Sequence, residues 1–186
     1  DLTHPDLAAH MLPGYDAFDD YGGLRVQISD STNTVLTASQ PVGWSGMSLS
    51  GTTLTTTAPF VASGISVTRK MTALPGTNLL RTLDSLTNTS GATRVVRVAW
   101  GSVAGDLGSD SNTMVAGTSS GDLAITTADN WMVSIEGTGP TSTATDPVVG
   151  VAWSNRSAAV FIGSGNTGDA LTAPFLGNGD DGFSPV

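Results

Sequence analysis

The chain has 186 residues and a mass of 18.8 kDa, enough for one domain with a sizeable core or two very small ones. Seven Lys and Arg residues oppose sixteen Asp and Glu residues, and the net charge of −9 argues against nucleic acid and anionic membranes as partners. The absence of cysteine excludes a disulfide, a thiol nucleophile and a Cys-ligated zinc. No apolar run reaches the roughly 20 residues of a membrane helix, so we expect no membrane insertion.

The first 22 residues differ in composition from the rest of the chain. Both histidines, His4 and His10, lie here, followed by the acidic and aromatic segment MLPGYDAFDDYGG. We expect an N-terminal arm or an irregular lead-in that is tied down by its aromatic rings. The chain begins at Asp1 and carries no signal peptide, so we interpret it as a mature form or an excised segment.

From Gly23 onward the sequence has the pattern of short strands separated by turns. The segment LRVQI places Leu24, Val26 and Ile28 on one face of a strand. The segment GWSGMSLSGTTLTTT predicts two short strands around Ser50 and Gly51. No helical period of 3.6 residues persists over a useful length, so we expect little helix.

The strongest alternation lies between residues 64 and 101. It predicts strands over 65–73, 79–87 and 93–101, joined by the turn sequences PGTN and TSG. Because short turns join antiparallel neighbours, we expect these three strands to be consecutive in one antiparallel meander.

Five shorter strand patterns follow the meander, and the last residues, GNGDDGFSPV, are polar and rich in glycine. A dozen or so short strands predict an all-β fold, namely a two-sheet antiparallel β-sandwich of the supersandwich type. The expected organisation is a lead-in over 1–22, a β-sandwich domain over 23–176, and a polar tail or linker over 177–186.

Several short motifs between residues 67 and 133 carry a resemblance to known proteins. They are VTRKMTAL, NLLRTLDSLTNTSG, VRVAWGSVAGDLGSDSNTMVAGTSSGD and TADNWMV. Together they resemble an uncharacterised β-sandwich domain of large secreted or cell-surface bacterial proteins, and they are loosely similar to the galactose-mutarotase-like β-supersandwich. The resemblance implies a sandwich fold and an extracellular or cell-surface location. It implies no enzyme, because both histidines precede residue 11 and the mutarotase catalytic histidines have no counterpart.

Arginines are concentrated in the predicted meander, at Arg69, Arg81, Arg94 and Arg97. If they lie close together and pair with Asp84, they could grip a sugar that bears a carboxylate. The alternative, which we favour, is cross-strand ion pairing on a solvated or interface face.

The four tryptophans divide into two classes by their sequence context. Trp131 and Trp153 lie inside apolar strands, which favours packing in the core. Trp44 lies between Gly43 and Ser45, which favours exposure, and an exposed ring can stack on a sugar. The candidate ligand-binding residues are therefore Arg69, Arg81, Asp84 and Trp44.

The loop GDLGSDSNT offers oxygen ligands at Asp106, Asp110 and Asn112. Carboxylate and amide oxygens two to four residues apart in a glycine-rich turn suit Ca²⁺. Asp122 and Asp129 would add ligands if their turns lie at the same end of the sandwich. The alternative, which we favour, is that these side chains cap turns by bonding to their own backbone.

Catalysis has little support in the sequence. General acid–base chemistry near neutral pH most often uses histidine, and both histidines lie in the expected arm. The only glutamate, Glu136, lies between a predicted strand and a turn, where an ordinary exposed carboxylate is expected. We therefore predict no catalytic residue.

Two functions of different classes follow. The first is a non-catalytic extracellular β-sandwich module of a bacterial secreted or surface protein, with a structural, adhesive or carbohydrate-binding role. Its partner would be a glycan or another domain of the same polypeptide, and calcium is its one candidate cofactor. The alternative is a carbohydrate-active enzyme, or its supersandwich portion, that uses Asp and Arg residues.

Overall fold

The computed structural model describes residues 23–100, 113–136 and 148–153, and the backbone of four further strands between residues 160 and 185. These residues form fifteen strands and no helix, and the strand pairs are antiparallel, so the prediction of an all-β, sandwich-like fold is confirmed. No helix capable of crossing a membrane occurs in this described part. The described residues fall into two compact units, one over 23–100 and one from Thr113 onward.

The first unit contains eight strands in two sheets. They are β1 (Leu24–Asp30), β2 (Val35–Pro41), β3 (Met47–Ser50), β4 (Thr53–Thr56), β5 (Phe60–Ala62), β6 (Ile65–Ala73), β7 (Leu80–Asn88) and β8 (Arg94–Trp100). One sheet has the order β2-β1-β8. In the other, β6 pairs with β4 and β5 and also with β7, and β3 extends the sheet beyond β4.

The core of this unit is built by alternate residues of strands from both sheets. From β1 come Leu24, Val26 and Ile28, the three residues that the sequence pattern placed on one face, and all three are buried. From β6 come Ile65 and Val67, which belong to the same buried cluster. The two sheets therefore pack face to face, as in a β-sandwich.

The predicted meander is right for its first two strands and wrong for the third. β6 and β7 pair over their full length, from Ile65 opposite Asn88 to Ala73 opposite Leu80. β8 instead pairs along its whole length with β1 in the other sheet. The connection over 89–93 has five residues, more than the two of a tight hairpin, so it can cross between sheets. Alternation fixes which face of β8 is apolar, but not which strand it pairs with.

The turn between β5 and β6 links the two sheets. Its central residues, Ser63 and Gly64, both have positive φ, as in a type I′ hairpin turn. The Gly64 carbonyl accepts a bond from the backbone N–H of Thr89 at 2.7 Å. The Ser63 carbonyl accepts one from Nε of Arg94 at 3.0 Å, and the Ser63 hydroxyl lies 2.6 Å from that of Thr37 on β2. This turn thus fixes the point where the chain passes from β7 to β8.

The second unit contains the seven remaining strands. They are β9 (Thr113–Thr118), β10 (Trp131–Glu136), β11 (Val149–Ala152), β12 (Val160–Ser164), β13 (Thr167–Asp169), β14 (Ala173–Leu176) and β15 (Asp181–Pro185). β10 is central in a three-stranded sheet with β9 and β11, and β12 pairs with β15 and β13 with β14. β15 lies within 177–186, the segment that the sequence indicates as a polar tail or linker. The expected lead-in over 1–22 lies outside the described residues.

Candidate functional site

Arg69 and Asp84 form a buried ion pair inside the first unit. Residues 65, 67 and 69 of β6 point the same way, so Arg69 continues the apolar face made by Ile65 and Val67. The strand register places Asp84 directly opposite. Nε of Arg69 donates to Oδ1 of Asp84 and Nη2 donates to Oδ2, each at 2.7 Å. The side chains are only 4% and 11% exposed, so this bidentate pair offsets the cost of burying two charges.

Trp44 completes the cluster from the irregular segment between β2 and β3. The Cζ atom of Arg69 lies over its ring, 4.6 Å from the ring centre, within the range of a cation–π contact. Trp44 is half-buried and packs against the core cluster. The sequence indicates that the Trp44 ring could stack on a sugar. In the structure, this ring contacts the buried guanidinium of Arg69. The cluster of Arg69, Asp84 and Trp44 is called the buried triad below.

Arg81 is not part of the buried triad. It lies opposite Thr72 and three residues before Asp84 on β7. Because successive side chains of a strand point to opposite faces, Arg81 lies on the outer face of the sheet and Asp84 on the inner face. Three of the four candidate ligand-binding residues are therefore brought together, and the fourth is separated from them.

The condition for a four-arginine sugar site, that the four side chains lie close together on one sheet, is not met, because β8 pairs with β1 in the other sheet. Arg94 bonds the Ser63 carbonyl near the sheet-linking turn. Arg97 donates from Nη1 to Oε1 of Gln27, its cross-strand partner on β1, at 3.3 Å. Arg69, Arg94 and Arg97 thus make separate local contacts on two sheets.

The chemistry of the buried triad suits it to stabilising the fold of the first unit. Both carboxylate oxygens of Asp84 accept bonds from Arg69, and the two side chains are only 4% and 11% exposed, so an incoming sugar hydroxyl has little access to them. The backbone N–H of Arg69 also donates to the hydroxyl of Thr56 on β4, at 3.2 Å. This agrees with the favoured interpretation of cross-strand pairing, except that the pair is buried and not solvated.

In the second unit, Asp129 organises the connection between β9 and β10. Its side chain is fully buried and accepts four bonds: from the N–H of Ser120 (2.9 Å), the hydroxyl of Ser119 (3.0 Å), and the N–H and hydroxyl of Thr126 (2.8 and 3.1 Å). The backbone bond from Thr126 is the main cause that holds the pKa of this carboxyl well below its usual range, and burial opposes it. The carboxylate therefore stays charged and fully bonded.

Asp122 closes a turn in the same connection. Its Oδ1 accepts bonds from the N–H of Ala124 at 3.0 Å and from the hydroxyls of Ser120 and Thr118 at 3.1 and 3.2 Å. Asp122 and Asp129 thus bond to their own loop, as the turn interpretation requires. Among the described residues there is no group of three or more potential metal ligands. Asp106, Asp110 and Asn112, the proposed calcium ligands, lie outside the described residues.

Sequence reasoning missed one feature of the outer face, a depression of about 220 Å³. It is lined by Thr53, Lys70, Thr72, Leu74, Arg81 and Leu83. The signal was available, because Lys70 and Arg81 share the strand phase opposite to that of Arg69 and Asp84.

No family model matches this chain, no curated protein matches it, and no solved structure matches it. The resemblance to a β-sandwich domain of secreted bacterial proteins therefore stays a prediction.

Proposed function

We propose that this chain is a non-catalytic β-sandwich module of a bacterial secreted or cell-surface protein, with a structural or adhesive role. The observation that carries the proposal is the buried triad. Three of the four residues that sequence reasoning selected for ligand binding, Arg69, Asp84 and Trp44, instead contact each other, and the charged groups of Arg69 and Asp84 are almost wholly removed from solvent.

The other aspartates with described side-chain bonds support the same role. Asp30 accepts bonds from the N–H groups of Thr32 and Thr34 at 2.8 and 2.9 Å and from the Thr32 hydroxyl at 2.7 Å. The pKa of Asp30 is lowered, first by the bond from the Thr32 side chain. The pKa of Asp129 is lowered as well. A general acid at neutral pH needs the opposite shift, so Asp30 and Asp129 are poorly suited to general-acid catalysis.

The test of the non-catalytic role is incubation of the chain with a broad panel of acidic and neutral glycans. Products are followed by reducing-end and unsaturated-product assays, and we expect no turnover. Turnover that is lost in Asp84→Asn, with near-UV circular dichroism showing a folded variant, would overturn the proposal and favour a carbohydrate-active enzyme.

The test of location is fractionation of cells that express the protein at its natural level. We expect the protein in the medium or at the cell surface, where its partner would be a glycan or another domain of the same polypeptide. Recovery in the cytosolic fraction alone would contradict the proposal.

A further inference from the structure

Charge is distributed very unevenly along this acidic chain. Residues 23–100 hold six of the seven basic residues but only two of the sixteen acidic ones. The first unit therefore carries a net charge of +4, although the whole chain carries −9. A positively charged unit attracts anions. The net charge of the whole chain argues against anionic partners, but the net charge of the first unit does not.

Three of the six basic residues are exposed, namely Lys70, Arg81 and Arg97, and of these three only Arg97 has a described side-chain hydrogen bond, to Gln27. Lys70 and Arg81 lie on the outer face of the β6–β7 pair, where Lys70 is opposite Leu83 and Arg81 is opposite Thr72. The outward positions of β4, β6 and β7 hold hydroxyl-bearing, cationic and leucine side chains, and no acid lies among them. In the described part of the chain, neither cation makes an ion pair or a side-chain hydrogen bond.

The depression between these two cations has mixed chemistry. Thr53 and Thr72 face each other across β4 and β6, and their hydroxyl oxygens are 3.2 Å apart. Leu74 and Leu83 contribute apolar surface. The volume of about 220 Å³ is below the roughly 300 Å³ at which pockets for drug-sized ligands begin, so the depression suits one small ring or one end of a chain.

We propose that this outer-face depression binds an acidic sugar residue, with Lys70 and Arg81 holding its carboxylate or sulfate group. Lysine and arginine both bind such anions through charge-assisted hydrogen bonds, and arginine can do so with two parallel bonds. The Thr53 and Thr72 hydroxyls meet the sugar hydroxyls, and the two leucines meet the apolar face of the ring. The site lies on the opposite face of the sheet from the buried ion pair of Arg69 and Asp84, and all of its lining residues except Leu74 are on paired strands. The proposal rests on the adhesive role proposed above and gives that role its ligand class.

The test is a binding titration of the full chain with galacturonate and glucuronate oligosaccharides, with sulfated oligosaccharides as a second arm. Uncharged oligosaccharides of the parent sugars are the matched controls. We expect binding of an acidic series, weakening with added salt, and no comparable binding of the neutral series. The arm that binds more tightly identifies the anionic group. Absence of binding to both acidic series at millimolar concentration would overturn the proposal.

The variants are Lys70→Gln and Arg81→Gln, each expected to weaken binding about tenfold or more, since each removes a charge-assisted bond. The control is Arg97→Gln, which removes the same charge from an exposed residue of the other sheet and should leave the affinity within about twofold. An equal loss in all three variants would show attraction by net charge alone and would overturn the proposal. Tighter binding of single-stranded DNA than of any sugar would also overturn it, in favour of a polyanion surface.

Failure of this proposal is distinguishable from failure of the proposed function. A chain that neither binds acidic sugars nor turns over glycans, but is found at the cell surface, would contradict only the sugar site. Turnover of a glycan would contradict the non-catalytic role, whatever the affinity of the depression.

Discussion

Arg69 lies directly opposite Asp84 in the antiparallel pair of β6 and β7, and its guanidinium binds the carboxylate while lying over the ring of Trp44. Arg69 occupies the next inward-facing position of β6 after the apolar residues Ile65 and Val67. A slip of one residue in the register would move Arg69 away from Asp84 and bury an unpaired charge. We therefore interpret the pair as a device that fixes the register of β6 against β7.

Removal of one partner of this pair should destabilise the first unit strongly. Arg69→Met leaves Asp84 buried without a cation, and Asp84→Leu leaves Arg69 without an anion. Each should lower the free energy of unfolding by about 3–5 kcal/mol. The double variant should recover much of this loss, because no unpaired charge remains in it. Urea denaturation of the four proteins in the cycle measures the coupling.

The control for that cycle is Lys70→Gln, at the next position of β6 on the opposite face, which should change stability by no more than about 0.5 kcal/mol. Arg69→Lys keeps the charge but loses the planar fork, so it should be less stable than the natural chain. If the effects of the two single substitutions simply add in the double variant, the pair has no coupling and the register argument fails.

Replacement of Gly64 by any residue with a Cβ should lower the stability of the first unit for two separate reasons. The Gly64 φ of +79° is costly for a residue with a Cβ, and a Cβ at this position would collide with the side chain of Ser90. Gly64→Ala should therefore cost about 1–2 kcal/mol for the left-handed backbone and about 1–3 kcal/mol more for crowding.

Gly91 offers the matched control for that substitution. It has a similar φ of +71°, but a Cβ there would meet nothing within 4 Å. Gly91→Ala should show the backbone cost alone in the same urea titration. An equal loss of unfolding free energy in Gly64→Ala and Gly91→Ala would mean that crowding against Ser90 does not destabilise the fold.

Strand alternation carried enough information for most of the first unit. It predicted the buried face of β1 and the pairing of β6 with β7, because both depend on local pattern and on a short turn. It failed for β8, whose partner β1 lies about 70 residues earlier in the chain. An apolar face on β8 fits either sheet, so the choice depends on tertiary packing that no local pattern encodes.

The candidate site was partly predictable as well. Counting outward from the turn between β6 and β7, with Ala73 opposite Leu80, places Arg69 opposite Asp84. The same alternation separates Arg81 from Asp84, so grouping them in one ligand site conflicted with the sequence pattern itself. The contact with Trp44 was beyond prediction, because an irregular segment brings that ring to the cluster.

Calcium binding to the loop of Asp106, Asp110 and Asn112 predicts a stability response to the ion. If these residues bind the ion, millimolar Ca²⁺ should raise the melting temperature, because the ion binds only the folded loop. EDTA should reverse the shift, and Asp110→Ala should abolish it. Asp30→Ala is the control, since Asp30 lies in the first unit and its bonds go to its own turn, and its calcium response should match that of the natural chain. An unchanged melting temperature in Ca²⁺ would favour the turn interpretation.

Asp129 should make the second unit sensitive to acid. Its pKa is lower in the folded chain than the value of about 3.9 expected when unfolded. The carboxylate therefore stabilises the fold fully above that unfolded pKa. The stabilisation is lost as the pH falls below it and through the folded pKa, because protonation removes acceptor capacity from the bonds to Ser120 and Thr126.

The measurement is a pH titration of the Asp129 carboxyl carbon by NMR, in the folded chain and in urea. The folded midpoint should lie well below the midpoint in urea, and the backbone signals of β9 and β10 should lose dispersion as Asp129 is protonated. Asp129→Asn puts an NH₂ group among donors, so it should lower stability at neutral pH and flatten the loss of stability as the pH falls below the unfolded pKa of about 3.9. Because the chain has two compact units, unfolding must be followed at signals of the second one. A folded midpoint equal to that in urea would show that the four bonds to Asp129 do not favour the charged form.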